Sequence, residues 1–268
     1  MSRNLRVVFI GYGAINSRVG ELLKTRGAPV EIAGVATRDD PVERARIPQG
    51  VPFLGSPSEL AALKPDLVVE AAGRAAIDAW APAALASSPR MIIASTSAFT
   101  DDALLPRLLA IAEQHGSRII LPSGAIGGID AIASAATLGL DRVVHQIVKP
   151  PVAWKGTQAE TLLDLDALKD RAVFFTGSAR EAASRYPQNA NATVVTSLAG
   201  IGLDRTEVEL VADPAAQRNG HLITAEGGFG RITVHLENNP LATNPKSSEL
   251  TALSLVRLIE QQSRPLTI

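Results

Sequence analysis

Gly11 and Gly13 stand one residue apart at the head of GYGAINSRVG, directly after the apolar run RVVFI, residues 6 to 10. A glycine in the first place allows a tight turn out of a strand. One in the second lets backbone approach a pyrophosphate, whose charge then rests on the free N–H groups opening the next helix. The chemistry is that of holding a dinucleotide. A lone Gly-x-Gly is a weak signal, but one that follows a strand, precedes a helix and opens a strand–helix series is a strong one. The third small residue of such a turn serves helix-to-strand packing. Asn16 stands there instead, its side chain facing the neighbouring strand or the cofactor's edge. The second strand ends in Ala36-Thr37-Arg38. An NAD site usually has an acidic residue here to bond the ribose 2′-hydroxyl. Thr37 repels no 2′-phosphate and Arg38 can pair with one, so the pattern favours NADP over NAD unless Arg38 is only a solvated loop residue.

Further along, PSGAIGG (122 to 128) ends a strand in glycines. Exposed N–H groups at such a strand end suit a nicotinamide or a carboxylate, and a glycine-rich hinge between domains is the other reading. Lys149 precedes two prolines that hold it in extended geometry, where it can meet a substrate carboxylate or form a salt bridge. YPQNANAT offers Asn189 and Asn191, a residue type equally at home in turns and caps. Of four histidines, His115 closes a helix, and His145 and His235 lie in strand patterns as face residues. His221 follows DPAAQRNG at a loop-to-strand junction, a place suited to proton transfer near neutrality.

The elements that position these groups alternate. PVEIAGVATR, LVVEAAG, RMIIAST and SRIILPSG read as strands, with INSRVGELLKTRG, AIDAWAPAALAS and DDALLPRLLAIAEQHG as helices between them. Continuously apolar strands alternating with helices predict a parallel sheet covered on both faces. After residue 124 the texture changes. A helix opens at Ile129-Asp130, VVHQIVKPP reads as a strand, and TLLDLDALKD and SAREAASRY are helical patches. TEVELVAD, HLITAEGG and GRITVHLEN read as an antiparallel meander. KSSELTALSLVRLIEQQS is an amphipathic helix burying Ala252, Leu255, Val256 and Ile259. The fold class is therefore α/β. A Rossmann dinucleotide-binding domain spans 1–124 and an α+β catalytic and dimerisation domain on an open mixed or antiparallel sheet spans 125–245. A C-terminal helix, 246–268, packs back on the first domain.

Composition narrows the rest. The formal charge of −1 gives no concentrated positive surface for nucleic acid or an anionic membrane. The absence of cysteine excludes disulfides, thiolate nucleophiles and Cys-ligated metal, and no other metal-ligand spacing is evident. The start lacks a signal-peptide pattern and no apolar stretch nears the ~20 residues of a membrane span, so a cytoplasmic protein is expected.

GYGAIN, VVEAAG, PSGAIGGIDA, KPPVAWKGT, TGSAREAASRYPQNANAT, LAGIGLDRTEVELVADP, NGHLITAEGGFG and NPLATNPKSSELTALS, in this order along nearly the whole chain, resemble the L-aspartate dehydrogenase family. The resemblance implies a homodimer. It also implies reversible NAD(P)-dependent oxidation of L-aspartate, through iminosuccinate to oxaloacetate and ammonia, with iminosuccinate feeding NAD biosynthesis. It places the active-site histidine on His221 and cofactor contacts on Ala125 and Asn191, and Ala14, Ile15, Ala72 and Gly73, within GYGAIN and VVEAAG, are expected as cofactor contacts beside them. Lys149, Lys246 and the 124 to 128 backbone then become candidates for the two substrate carboxylates. The family usually has glycine where this chain has Asn16, and histidine where it has Arg74. Two other readings share the plan: an NADP-dependent reductase of a related dicarboxylate or semialdehyde, and a non-catalytic NADP-binding redox sensor.

Overall fold

The structure, a computed structural model, describes residues 3–187 and 190–267. The chain forms two compact units, Met1–Pro122 with Thr251–Ile268, and Ser123–Leu250.

The first unit runs β1 (Leu5–Ile10), α1 (Ala14–Thr25), β2 (Val30–Ala36), α2 (Pro41–Arg44), β3 (Phe53–Leu54), α3 (Leu60–Leu63), β4 (Leu67–Glu70), α4 (Arg74–Ser87), β5 (Arg90–Ile93), α5 (Leu104–His115) and β6 (Arg118–Ile120). Its strands form one parallel sheet in the order β3-β2-β1-β4-β5-β6. That is the Rossmann order, and its connections reverse direction between β1 and β4. At this switch point the carboxyl ends of adjacent strands diverge into a crevice, and ligands bind there. Val7, Phe9, Val69 and Ile92 are fully buried, as strands covered on both faces must be.

The second unit contains α6 (Ile129–Ala136), β7 (Leu140–Lys149), α7 (Ala159–Leu162), β8 (Ala172–Ser178), α8 (Ala179–Arg185), α9 (Ala190–Ala199), β9 (Glu207–Ala212), β10 (Asn219–Gly227), β11 (Gly230–Asn238), β12 (Pro240–Leu241) and β13 (Asn244–Ser248). Five strands make a mixed sheet, β11-β10-β7-β9-β8, while β12 and β13 pair separately. The expected meander is not formed. Of its three strands only β10 and β11 pair as neighbours in sequence; β7 lies between β10 and β9, antiparallel to the first and parallel to the second. The physical reason is the six-residue connection 213–218, long enough to cross over β7, so that the apolar VVHQIV run takes a central place. The patch TLLDLDALKD is helical only at its start, in α7. Ile132 and Ala135 of α6 and Val195 of α9 pack on Val143, Ile223 and Ala225, so these two helices cover one face of the sheet.

The last helix, α10 (Glu249–Gln261), returns to the first unit. Ala252, Leu255, Val256 and Ile259 join the core cluster of Val7, Phe9, Val19 and Leu23. Glu260, nearly buried, accepts two hydrogen bonds from Arg26 at 2.7 and 3.1 Å. The chain re-enters the first unit at Thr251 rather than at 246 because Asn244–Ser248 is held as a strand against β12. Among the described residues no helix is long and apolar enough to cross a membrane.

Candidate active site

In the first unit, Gly11 has φ +80°, and a Cβ there would lie 2.7 Å from the Cα and Cβ of Ala72. The β1–α1 and β4–α4 turns are therefore packed backbone to backbone, at the switch point. Gly13 is the N-cap of α1 and Gly73, at φ +111°, the N-cap of α4. Neither helix start has a side-chain cap, and neither glycine has an atom within 4 Å of where a Cβ would sit. Two uncapped helix N-termini with open space over glycine fit a pyrophosphate. Ala14 and Ile15 open α1. Asn16 is fully buried and donates Nδ2–H to the Gly11 carbonyl at 2.7 Å, tying the turn to the helix; its Oδ1 has no partner among the described residues.

A buried carboxylate that sequence reasoning passed over organises the second turn. Glu70 accepts hydrogen bonds from the N–H groups of Ala72 (2.7 Å), Gly73 (3.0 Å) and Ser95 (3.1 Å), and from Ser95 Oγ (2.7 Å). Burial pushes its carboxyl above the ordinary value, and these four donors pull it back. At the end of β2, Thr37 Oγ1 and Arg38 both bond the carboxylate of Glu43, which lies on α2 capped by Asp40. Glu43 was the other missed residue; it lies five and six positions from groups it binds, beyond any strand-end rule. Arg74 bonds Thr100.

In the second unit, antiparallel pairing sets His221 opposite Ile147 and Ile223 opposite His145, and a parallel register sets Lys149 opposite Ala212. Side chains alternate along strands, so His145, Ile147 and Lys149 share the face of His221, the one that α6 and α9 cover. His145 is thus a buried core group rather than the face residue its strand pattern predicts. Its Nε2 lies 3.0 Å from His221 Nδ1, and its Nδ1 lies 3.0 Å from Thr196 Oγ1 on α9. Burial pushes His145 well down and His221 down to about 4, the latter helped by the Lys149 charge. Lys149 is itself lowered to about 8 by burial, with Nζ 4.9 Å from the centre of the Trp154 ring. His221 and Lys149 are therefore brought together. Ala125, within the Ser123–Gly128 turn, accepts a 2.7 Å hydrogen bond from Asn238 Nδ2, and Asn191 is exposed in the first turn of α9. Lys246 is exposed on β13. Asn189 lies outside the described residues.

A histidine held neutral has a consequence for stability. Between the ordinary value of about 6.5 and the folded value of about 4, the unfolded chain binds a proton that the native protein does not. The contribution is complete above about pH 6.5 and is lost as the pH falls toward 4, amounting to roughly 3 kcal/mol for His221. Chemical denaturation of wild type and His221→Asn at about pH 7.5 and about pH 4.5 checks this. The variant is expected to lose less stability over that interval, and an equal loss in both proteins contradicts the account.

Two family descriptions match the chain: "Homoserine dehydrogenase, NAD binding domain" over residues 11–122, and "Aspartate dehydrogenase, C-terminal" over residues 130–262. The chain is 53% identical to L-aspartate dehydrogenase of Brucella anthropi, with 98% of each chain covered. It is 42% identical to L-aspartate dehydrogenase of Pseudomonas aeruginosa, covering 98% of this chain and 100% of that one. Its fold matches the crystal structure of aspartate dehydrogenase from Thermotoga maritima with a TM-score of 0.80 at 28% identity, covering 99% of both chains. A Rossmann unit with an open glycine turn and a second unit with a buried histidine beside a half-buried lysine are thus found in a sequence that aligns over nearly its whole length with these enzymes, and the chain belongs to the L-aspartate dehydrogenase family.

Proposed function

We propose that the protein reversibly oxidises L-aspartate with NAD(P)+ and water to oxaloacetate, ammonium, NAD(P)H and a proton, by way of iminosuccinate. The observation that carries this reading is the neutral, buried His221 sharing a sheet face with the cation of Lys149. Gly11, Gly13, Ala14 and Ile15 hold the pyrophosphate, Ala72 and Gly73 extend that cradle, and Thr37 and Arg38 meet the adenosine ribose. Ala125 and Asn191 are further cofactor contacts, and Lys149 and Lys246 receive the substrate carboxylates. A bound oxidised nicotinamide would supply the hydride acceptor for the substrate Cα. His221 takes the proton that must leave the substrate nitrogen, and later one from the water adding to the imine carbon. A dicarboxylate neutralises the positive field of Lys149, which is one of the two causes lowering His221, so substrate binding itself raises the basicity of the imidazole.

NADP is the favoured cofactor on this reading. A 2′-phosphate competes with Glu43 for Arg38, and a dianion accepts from guanidinium more strongly than one carboxylate does. Arg38→Ala is expected to lower kcat/KM for NADPH about tenfold or more, a loss of ~1.4 kcal/mol, and to leave NADH nearly unchanged. We further infer a homodimer in the cytoplasm whose iminosuccinate supplies nicotinamide nucleotide synthesis.

The deciding assay is oxidation of NADPH, and then of NADH, with oxaloacetate plus ammonium, set beside oxidation of the same cofactors with dihydrodipicolinate and reduction of NADP+ or NAD+ with homoserine. Turnover with one of the others alone assigns a different reductase. Tight NADPH binding with no turnover on any of them assigns a redox sensor.

A further inference from the structure

The geometry assigns His145 and Thr196 as positioning residues that hold His221 in the Nδ1–H tautomer, leaving its Nε2 as the unprotonated nitrogen. The inference rests on the role proposed above for His221 and says how that role is set.

The assignment comes from counting protons along four groups. Thr196 Oγ1 lies 3.1 Å from the carbonyl oxygen of Ala192, one helical turn earlier on α9, and 3.0 Å from His145 Nδ1. A carbonyl only accepts, so the hydroxyl proton goes to Ala192. The hydroxyl oxygen must then receive N–H from His145 Nδ1. A neutral imidazole carries one proton, so His145 Nε2 has none and accepts from His221 Nδ1–H, 3.0 Å away. His221 has then spent its one proton, and Nε2 keeps its lone pair. Both rings are buried, His145 completely, and burial favours the neutral form of each, which is the condition the count requires. The opposite sense would need Thr196 to abandon Ala192. The chain ends at a carbonyl that can neither release nor take up a proton. It therefore fixes orientation and does not conduct. A proton taken from the substrate ammonium or from water ends on His221 Nε2, and Nδ1–H stays on His221, still donated to His145. Lys149, the charged group acting on His221, repels a proton there and so works with the same arrangement.

Thr196 has no polar role that a strand or helix pattern would reveal, and a buried threonine in a helix is ordinarily self-bonded to the preceding turn. Here that bond is what selects the tautomer of a ring two hydrogen bonds away.

The test is direct because the chain has four histidines. In wild-type protein labelled with 15N-histidine and free of substrate, the His221 signals, identified by their loss in His221→Ala, are expected to show Nδ1 protonated and Nε2 unprotonated near neutral pH. A protonated Nε2 overturns the proposal whatever the protein's activity; failure to turn over aspartate would sink the functional reading and leave this result standing. Kinetics give the second arm. Thr196→Val is expected to lower kcat about tenfold to a hundredfold, and Thr196→Ser to stay within about threefold of wild type, since the hydroxyl is restored. KM for aspartate and the NADPH dissociation constant stay constant in both. Equal losses in the valine and serine variants, or an unchanged valine variant, overturn it.

Discussion

His221→Ala is expected to lower kcat for aspartate oxidation by about 10²–10⁴-fold, the usual span for loss of a positioned acid or base. The dissociation constant of NADPH should not change, because the groups proposed to hold the nucleotide's phosphates and adenosine belong to the first unit and His221 to the second. The size of the effect follows from the environment of the ring. Burial, helped by the Lys149 charge, lowers His221 to about 4, so near neutral pH the free protein holds the ring with its lone pair available. Solvent water is a poor substitute at a site where the ring is nearly buried. Stopped-flow fluorescence for NADPH binding and steady-state turnover separate the two quantities. A variant that binds NADPH normally and keeps wild-type turnover would remove His221 from the mechanism. Loss of both would point to general misfolding of the variant rather than to lost proton transfer.

What the sequence disclosed and what it hid divide along a physical line. The parallel sheet was legible because strands buried on both faces are continuously apolar and their helices carry a 3.6-residue period. The glycine turn was legible because positive φ and close approach restrict Gly11 to one residue type. His221 was singled out from its junction and Lys149 from the prolines that follow it, and strand pairing sets the two on one sheet face. Within the second sheet the meander was misread because strand order is a long-range property: nothing local to β9 and β10 says that β7, some sixty residues earlier, pairs between them. The same blindness concealed the His145–Thr196 contact, which joins a strand to a helix 51 positions away. Strand β8 and helix α9 went unread, and with α9 went the setting of Thr196; its run ATVVTSLA is rich in β-branched residues that favour strands, and burial against the sheet overrides that preference. Asn16 looked like a departure from a packing rule. Its bond to the Gly11 carbonyl shows a different way of securing the same turn.

That turn carries the other large effect. Gly11→Val is expected to abolish measurable NADPH binding and to destabilise the first unit, while Gly13→Ala should leave stability intact and still weaken binding. At Gly11 two penalties coincide. A β-branched residue at φ +80° is strained, and its Cβ would sit 2.7 Å from the backbone of Ala72, where no flexible side chain can yield. Together these cost on the order of 3 kcal/mol or more. Relief can come only by parting the β1–α1 and β4–α4 turns, which are the walls of the proposed pyrophosphate cradle. Glu70 and Ser95 grip the second of these through the Ala72 and Gly73 N–H groups, so the strain is not easily shed there. Gly13 differs in both respects: its φ is −76° and nothing lies within 4 Å of the place a methyl would take, so alanine meets no protein atom. The methyl would instead occupy the space over the helix N-terminus. Fluorescence titration with NADPH and chemical denaturation of the two variants make the comparison. Normal NADPH affinity in Gly13→Ala would mean that the phosphates do not rest on this turn, and the cofactor site would have to be sought elsewhere in the first unit.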